Sequence, residues 1–359
     1  EIPLRLVGSE MCIRDRYTHS PVPTGLGIAV QSGRLAEAFL PFGTNIQSLR
    51  ESSEREVREA HYDHHLQNSV RHGGNIPAIW AYSSGVQTRV LGLSWSDEVQ
   101  LILTTAESGV KSIRDLKNRR FGLPKWANVQ IDFTRAQALR GLENALRLEG
   151  LEVADVELVD YPYGGTYSDE QKQHLYGSEV SLGVTRFSRR NNELIGLLRG
   201  DIDAIFLKGA HAVHLANEFG LQVVVDTGSH PDPLIRSNNG TPRTLTVDTH
   251  LLREHFDASV KIVDTVLRTE QWAWANPEET RRFLARELNT SEYWVAAAYG
   301  EDAHRRLRTT LDARSIEALQ DFTDFLHRWQ FIPRRFDVRE WIDFSVLETV
   351  IGSTSRVAV

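Results

Sequence analysis

The chain contains very little sulfur. Its one methionine and its one cysteine, Met11 and Cys12, both lie near the start of the 359 residues. Beyond them the sequence offers no disulfide, no thiolate zinc ligand and no cysteine nucleophile. Because a chain without cysteine suits both reducing and oxidising compartments, composition does not choose between cytoplasm and periplasm.

Long apolar runs and basic blocks are also missing. No segment reaches the roughly 18 apolar residues of a membrane span, and no Lys/Arg-rich block offsets the net charge of −7. We therefore expect no membrane span and no nucleic acid partner. The remaining composition, with 41% hydrophobic and 25% charged residues, is that of a globular protein long enough for two domains.

The first segment differs from the rest. Its run VGSEMCIRDR resembles translated sequencing-adapter read-through, and we expect residues 1–16 to be a non-native leader outside the fold. The natural N-terminus would then be missing, so a signal peptide is neither visible nor excluded.

Strand and helix patterns alternate along the chain, which indicates an α/β class. Strand-like runs cover residues 89–93 and 99–104, and a long helix lies within 131–150. We expect Ser112 to cap a short helix and Gly150 to end the long one in a left-handed conformation. The polar stretch 163–179 is typical of a loop-like insertion.

Three motifs carry a family resemblance. GGNIPAIWAYSSG at 73–85, KSIRDLKNRRFGLP at 111–124 and LLRGDIDAIF at 197–206 occur in the order of the solute-binding proteins of sulfonate, taurine and nitrate ABC transporters, the NMT1-like group. The resemblance implies the type II periplasmic-binding-protein fold, with two α/β lobes around a ligand cleft and hinge closure on the ligand. The first lobe is expected at 17–104 plus 227–345 and the second at 105–226, with a C-terminal tail at 346–359.

A narrower resemblance lies near the start. YTHSPVP at 17–23 and AHYDHHLQNSVRHGG at 60–74 resemble the 2'-hydroxybiphenyl-2-sulfinate desulfinase family, which uses the same fold for C–S bond cleavage. The family's His and Arg fall on His61 and Arg71, and its glycines fall on Gly73 and Gly74. Its nucleophilic Cys falls on Ser20.

Serine at this position leaves three roles open for Ser20. As a nucleophile it would need a positioned general base and an oriented triad, and no G-x-S-x-G elbow surrounds it. It also suits a ligand-binding hydroxyl, or a residue that caps a helix or shapes a turn.

Arg71 is the best candidate for anion binding. A guanidinium presents a planar fork that matches two oxygens of a sulfinate, sulfonate or carboxylate. Gly73 and Gly74 would let backbone N–H groups approach the same anion. The alternative for Arg71 is a solvated surface position or a structural ion pair.

Four histidines, His61, His64, His65 and His72, cluster within twelve residues. His61 and His65 have helical i, i+4 spacing, but no standard zinc pattern surrounds them, so we expect no metal and no cofactor. His61 is interpreted as a ligand-binding or acid/base residue, or else as a surface histidine or a satisfied structural one.

Other candidates come from the second lobe. Trp126 and Asn128 follow a strand, where α/β proteins bind ligands, although a buried Trp126 is equally consistent. Lys208 ends another strand and would reach the same anion or lie on the surface. Asp201 and Asp203 are interpreted as structural.

Two function classes follow from these residues. The first is a protein that binds a small organic anion, sulfonate-like or sulfinate-like, with or without an aromatic group. Such a protein would deliver the anion to an ABC permease from the periplasm, or act as a stand-alone sensor. The alternative is a cytoplasmic desulfinase-like hydrolase in which Ser20, His61 and Arg71 act on an aryl sulfinate.

Overall fold

The computed structural model describes residues 16–19, 22–43, 46–49, 52–167 and 192–357. Strands and helices alternate through these ranges, as the sequence predicts. The strands are β1 Arg16–His19, β2 Gln47–Ser48, β3 Ser69–Gly73, β4 Thr88–Trp95, β5 Gln100–Thr104, β6 Arg120–Trp126, β7 Glu157–Tyr163, β8 Ala204–Lys208, β9 Gln222–Asp226, β10 Arg243–Asp248 and β11 Arg308–Thr310.

The helices cover the faces and ends of these strands. They are α1 Gly25–Gln31, α2 Arg34–Phe39, α3 Arg55–Asp63, α4 Asn75–Ser83, α5 Phe133–Arg147, α6 Asn192–Arg199, α7 Gly209–Glu218, α8 Pro233–Arg236, α9 Thr249–Glu254, α10 Phe256–Ala275, α11 Pro277–Leu288, α12 Glu292–Tyr299, α13 Ala303–Arg306, α14 Ala313–Arg328, α15 Val338–Trp341 and α16 Ser345–Val357. Among the described residues, no helix is long and apolar enough to cross a membrane.

The strands form two sheets. The first has the order β11-β4-β10-β3-β1-β2 and the second the order β7-β6-β8-β5-β9. In the first sheet β1 runs parallel to β2 and β3, while β10 runs antiparallel to β3 and β4. The chain passes from the first sheet to the second after β4 and returns before β10, so each sheet draws on separate parts of the sequence.

The strand Gln100–Thr104 corrects the expected boundary at 104. Its residues pair antiparallel with β8 and with β9, both in the second sheet. The crossing therefore lies at residues 96–99, before this strand rather than after it. A fully buried apolar strand suits either sheet, and only its partners identify which sheet it joins.

The segment beyond 345 is also more than a tail. Helix α16 begins at Ser345, and Val346, Leu347 and Val350 are buried in an apolar cluster with Val263 and Val266 of α10. These residues recur at helical spacing, which explains why the segment packs on the first sheet's helices.

Capping residues fix the ends of several helices. The carboxylate of Asp115 accepts hydrogen bonds from the backbone N–H and the hydroxyl of Ser112 at 2.8 and 2.9 Å, at the start of a short 3₁₀ helix. Gly150 has a φ of +67° after α5, so both predicted helix ends are confirmed. The predicted insertion at 163–179 lies mostly outside the described residues.

The largest apolar core is continuous between the two sheets. It joins Val90 and Leu93 of β4 to Phe121 of β6 and to Phe322 of α14. Helix α5 lies so close to β8 that a Cβ at Gly141 would be 2.1 Å from the Phe206 ring. Only glycine permits this approach.

Polar contacts reinforce the same junction. The fully buried Arg140 of α5 donates from Nε to the Ser237 carbonyl at 3.1 Å and pairs with Asp321 of α14. Asn144 donates to the Ile235 carbonyl at 2.8 Å. Residues 235–237 precede β10 and α14 follows β11, and both of these strands belong to the first sheet. Helix α5, which packs beside β8 of the second sheet, therefore links the two sheets on this side.

Candidate functional site

Arg71 is buried in the middle of β3, with only 4% of its surface exposed. Its Nε atom donates to the His61 carbonyl at 3.0 Å, and Nη1 donates to the Gly74 carbonyl at 2.7 Å. The third donor group, Nη2, makes no hydrogen bond with the described residues. Two protein carbonyls thus hold the guanidinium in place and leave one amino group for a ligand.

The charge of Arg71 persists in spite of burial. Desolvation lowers the pKa of the guanidinium to about 10, and Tyr62 offsets part of this effect. The side chain is therefore a cation at neutral pH. A solvated surface position, the alternative considered from sequence, is wrong.

His61 lies directly beside Arg71. It is buried near the end of α3, its carbonyl binds the guanidinium, and its ring meets the Tyr62 ring edge-on with centroids 4.7 Å apart. The structure thus brings His61 and Arg71 together. Ser20, the third member of the predicted group, follows β1 and lies outside the described residues.

The other three histidines have separate surroundings. His65 is exposed and pairs with Asp63, while His72 Nε2 lies 3.0 Å from the Ser94 hydroxyl. His64 is buried and ends α3 with a φ of +59°. In the described part of the chain, no three His, Cys, Asp or Glu side chains are grouped to hold a metal ion.

The neighbouring side chain of Asn239 leaves no room for a residue larger than glycine at position 74. A Cβ there would lie 2.4 Å from Asn239 Oδ1, at a φ of −56° that any residue adopts. Asn239 also receives the Ile76 N–H at 3.4 Å and donates to Gln137 of α5 at 3.2 Å. Gly73 ends β3 opposite Thr244. Contact of the two glycines with an anion stays a prediction.

Lys208 lies in a buried ionic cluster rather than on the surface. Its Nζ atom donates to Glu98 Oε1 at 2.6 Å and to the Asn239 carbonyl. Glu98 also receives the Tyr299 hydroxyl at 3.0 Å and lies 3.6 Å from Arg243 Nη2. Lys208 thus reaches the Gly74 turn through Asn239, with its charge matched by Glu98.

Opposing effects set the pKa of Glu98. Burial favours the neutral acid, but the charges of Lys208 and Arg243 outweigh it and lower the pKa below the ordinary 4.5. The carboxylate is ionised at neutral pH. Two cations and one anion therefore leave this cluster with a net positive charge.

The comparisons with known proteins agree with this architecture. No family model and no curated protein sequence matches the chain. Among solved structures, the desulfurization enzyme DszB is similar with a TM-score of 0.70 and 23% identity, over 95% of this chain and 100% of that chain. A DszB variant with serine in place of a cysteine, in complex with biphenyl-2-sulfinic acid, has a TM-score of 0.71 and 22% identity, over 94% and 98%.

A transport protein is similar as well. The periplasmic aliphatic sulphonate binding protein SsuA from Escherichia coli has a TM-score of 0.64 and 16% identity, over 91% of both chains. The chain has the type II periplasmic-binding-protein fold. At these identities the likeness establishes the fold, as the ordered motifs predicted.

In this fold the two sheets are the cores of two lobes, and aromatic side chains meet between them. Trp126 stacks on Tyr163 with centroids 4.9 Å apart and is 4.7 Å from the Tyr167 ring. Tyr167 in turn lies 4.4 Å from Phe133 and 5.5 Å from Tyr62 of the first lobe. Tyr62 therefore connects the surroundings of Arg71 to the second lobe.

The two candidate residues at the end of β6 and just after it differ in exposure, and a contact of either one with a ligand stays a prediction. Trp126 is buried within the aromatic group, whereas Asn128 is exposed.

Asp203, expected to be structural, receives the Arg120 backbone N–H at 2.9 Å and pairs with the Arg120 guanidinium. The Asp201 carbonyl receives Arg120 Nη1 at 2.6 Å.

Several residues near the site were not predicted from the sequence. Glu98, Arg243 and Tyr299 approach Lys208 from distant parts of the chain, and no local pattern marks them. Tyr62 does stand between two of the four histidines, so an aromatic residue flanked by candidate site residues was the one available signal.

Proposed function

We propose that the chain binds a small organic anion in the cleft between its lobes, with Arg71 as the charged contact. A buried guanidinium with two donors fixed by carbonyls and Nη2 left over carries the proposal. Such a preorganised cation binds an anion without first reorganising, which favours affinity. If the bound anion is destined for transport, the partner of the protein would be an ABC permease.

The proposed lobes are 17–99 plus 227–357, and 100–226. His61 and Ser20 would complete the first-lobe side of the site, with Gly73 and Gly74 beside them. Lys208 would act from the second lobe as part of the net positive cluster with Glu98, rather than as a direct ligand contact.

The proposed ligand class is a sulfinate or a sulfonate. The remaining Nη2 group offers two N–H donors on a charged guanidinium, and such charge-assisted donors suit the oxygens of a sulfur oxyanion. Similar proteins support this choice, since one is named for aliphatic sulphonate binding and another holds biphenyl-2-sulfinic acid with serine in place of a cysteine. The second example is relevant because this chain also has a serine, Ser20, at the position that resembles the desulfinase cysteine.

Calorimetry tests the binding proposal with benzenesulfinate, benzenesulfonate and methanesulfonate as probes. Arg71→Ala is expected to weaken binding about 100-fold or more, because a desolvated anion loses its paired charge. Arg335→Ala serves as the matched control, since Arg335 is an exposed guanidinium bound to Asp324 at 2.8 Å. Binding of a probe that survives Arg71→Ala would overturn the site, and no binding of any probe would overturn the ligand class.

Desulfination is the second candidate function. The adjacency of His61 and Arg71 within a DszB-like fold favours it. Water and an aryl sulfinate would give the arene and hydrogen sulfite, with the proton delivered to the ring carbon. Sulfite released from benzenesulfinate and 2-phenylbenzenesulfinate is the readout, and His61→Ala is expected to abolish it if the chain is an enzyme.

A further inference from the structure

Gln137 is a polar residue of the second lobe, on the face of α5 that meets the surroundings of Arg71. Phe133 lies four residues earlier on the same helical face and stacks on Tyr62, with the ring centroids 6.2 Å apart. Tyr62 follows His61, whose carbonyl binds the Arg71 Nε atom. The first turn of α5 is therefore next to one of the two carbonyl groups that hold the guanidinium.

The second carbonyl group leads to Gln137 itself. The Gly74 carbonyl receives Arg71 Nη1, and the Asn239 side chain lies so close to Gly74 that its Nδ2 would be 3.3 Å from a Cβ there. The same Nδ2 atom donates to Gln137 Oε1 at 3.2 Å. A single side-chain amide thus separates Gln137 from the turn that binds Arg71.

These hydrogen bonds determine which end of the Gln137 amide remains for a ligand. The Ile76 backbone N–H can only donate, so the Asn239 atom that receives it at 3.4 Å is the carbonyl oxygen Oδ1. Asn239 then presents Nδ2 to Gln137, which accepts with Oε1. The Nε2 end of Gln137, with its two N–H donors, is left over.

The Gln137 Nε2 atom is open to a ligand. The residue is half-buried, and within the described ranges Nε2 makes no hydrogen bond and is not enclosed by protein atoms. Because Asn239 holds the other end of the amide, Nε2 is a preorganised donor. A donor at this place complements an oxygen of the anion that Arg71 is proposed to bind.

We propose that Gln137 is the direct second-lobe contact of the anion, donating from Nε2–H to a ligand oxygen while Arg71 pairs with the charge. The inference rests on the proposed anion-binding function and adds a residue to its site. Lys208 does not take this role, since its Nζ atom donates to Glu98 and to the Asn239 carbonyl. An anion bound to Arg71 and to Gln137 would favour the arrangement in which the two lobes are close.

Two substitutions separate a ligand contact of Gln137 from a structural one. Gln137→Met removes the amide and keeps a long side chain with high helix propensity. Gln137→Glu keeps an oxygen that accepts from Asn239 Nδ2, but replaces the N–H donor with a second carboxylate oxygen. Gln271→Met is the matched control, because Gln271 is an exposed glutamine on α10 of the first lobe.

The experiment measures the affinity of the full chain for benzenesulfinate by calorimetry, together with thermal unfolding. Gln137→Met is expected to weaken binding about tenfold, and Gln137→Glu about 100-fold because its carboxylate repels the anion. Gln271→Met is expected to bind like the wild type, and all three variants are expected to unfold near the wild-type temperature. A purely structural role would leave Gln137→Glu close to the wild type in affinity.

Arg71→Ala distinguishes failure of this inference from failure of the proposed function. Unchanged affinity in both Gln137 variants, with binding lost in Arg71→Ala, would overturn the role of Gln137 and leave the anion site intact. Affinity retained in all three variants, or no binding of benzenesulfinate to the wild type, would overturn both.

NMR of the side-chain amide groups provides a second readout that a structural role would not move. The Gln137 Nε2–H resonances, identified by their absence from Gln137→Met, are expected to shift downfield at saturating benzenesulfinate, because the N–H groups would donate to an anionic oxygen. The Gln271 resonances are expected to stay in place. Gln137 resonances that do not move at saturation would overturn the contact.

Discussion

The Nζ atom of Lys208 lies 2.6 Å from Oε1 of Glu98, although 110 residues separate the two in sequence. Glu98 lies on the first crossing between the lobes, and Lys208 ends a second-lobe strand. Arg243 joins the pair from the start of β10, where the chain has returned to the first sheet. The Glu98 carboxylate therefore ties the first crossing to one strand of each sheet, β8 and β10.

Glu98→Gln is expected to destabilise the protein strongly. Lys208 and Arg243 would remain buried without a carboxylate, and breaking a buried pair costs about 3–5 kcal/mol of unfolding free energy. Urea denaturation measures the effect. Asp324→Asn, which removes the partner of exposed Arg335, is the control and is expected to cost less than about 1 kcal/mol. Equal losses in the two variants would contradict the role given to the cluster.

Glu270 is expected to make stability depend on pH. Burial raises its pKa from 4.5 to about 7, against hydrogen bonds from Thr309 and the charge of Arg308. The folded state binds the proton more tightly than the unfolded state, so unfolding free energy falls as pH rises from about 4.5 to about 7. The predicted fall from this group is roughly 3 kcal/mol.

Glu270→Gln isolates that contribution. Both the N–H and the hydroxyl of Thr309 donate to the Glu270 carboxyl group. The carbonyl oxygen of glutamine can accept the same N–H, its amide can donate to the Thr309 hydroxyl oxygen, and it does not titrate. The difference in unfolding free energy between wild type and variant is expected to move in the variant's favour from pH 5 to pH 8. A difference that is constant over this range would show that Glu270 does not titrate there.

Tyr62→Ala is expected to loosen the contact between the lobes. Tyr62 packs on Tyr167 and Phe133 of the second lobe, and aromatic pairs contribute about 0.5–1.5 kcal/mol each. We expect a larger radius of gyration by small-angle scattering and weaker benzenesulfinate binding, with Tyr62→Phe close to wild type.

Tyr82→Ala provides the comparison for Tyr62. Tyr82 stacks on Trp341 with centroids 5.3 Å apart, and both residues belong to the first lobe. This variant is expected to lose stability without a change in radius. An expansion as large as that of Tyr62→Ala would contradict a specific role between the lobes.

Arg140→Met tests the junction of α5 and α14. Methionine fills similar space against Phe322 and Phe325 but leaves the Asp321 carboxylate without its cationic partner. A loss of roughly 3 kcal/mol in unfolding free energy is expected. Arg328→Met, on the same interface but exposed, is expected to lose less than about 1 kcal/mol.

The sequence predicted the fold because its signals are local. The ordered motifs at 73–85, 111–124 and 197–206 each describe one short unit, and the structure has a helix or strand where each predicts one. The boundary at 104 failed since β5 is apolar on both faces and would suit either sheet. Periodicity reports burial but not the identity of the neighbouring strand.

The site was predictable in part for the same reason. His61, Arg71 and Gly74 lie within one short stretch, and the structure brings them into contact. Arg243 and Tyr299 meet Glu98 only through tertiary structure, so no spacing could indicate them. The ion pair of Lys208 was not predictable for the same reason, because its partner Glu98 is 110 residues away in sequence.

The apolar core that runs from β4 to β6 has a consequence for dividing the chain. A fragment of residues 100–226 would keep its own sheet but lose the first-half members of the apolar cluster to which Phe121 and Leu139 belong. It would also leave Arg140 without Asp321. The second lobe is therefore not a transplantable module, and we expect the two halves to fold and to melt as one cooperative unit.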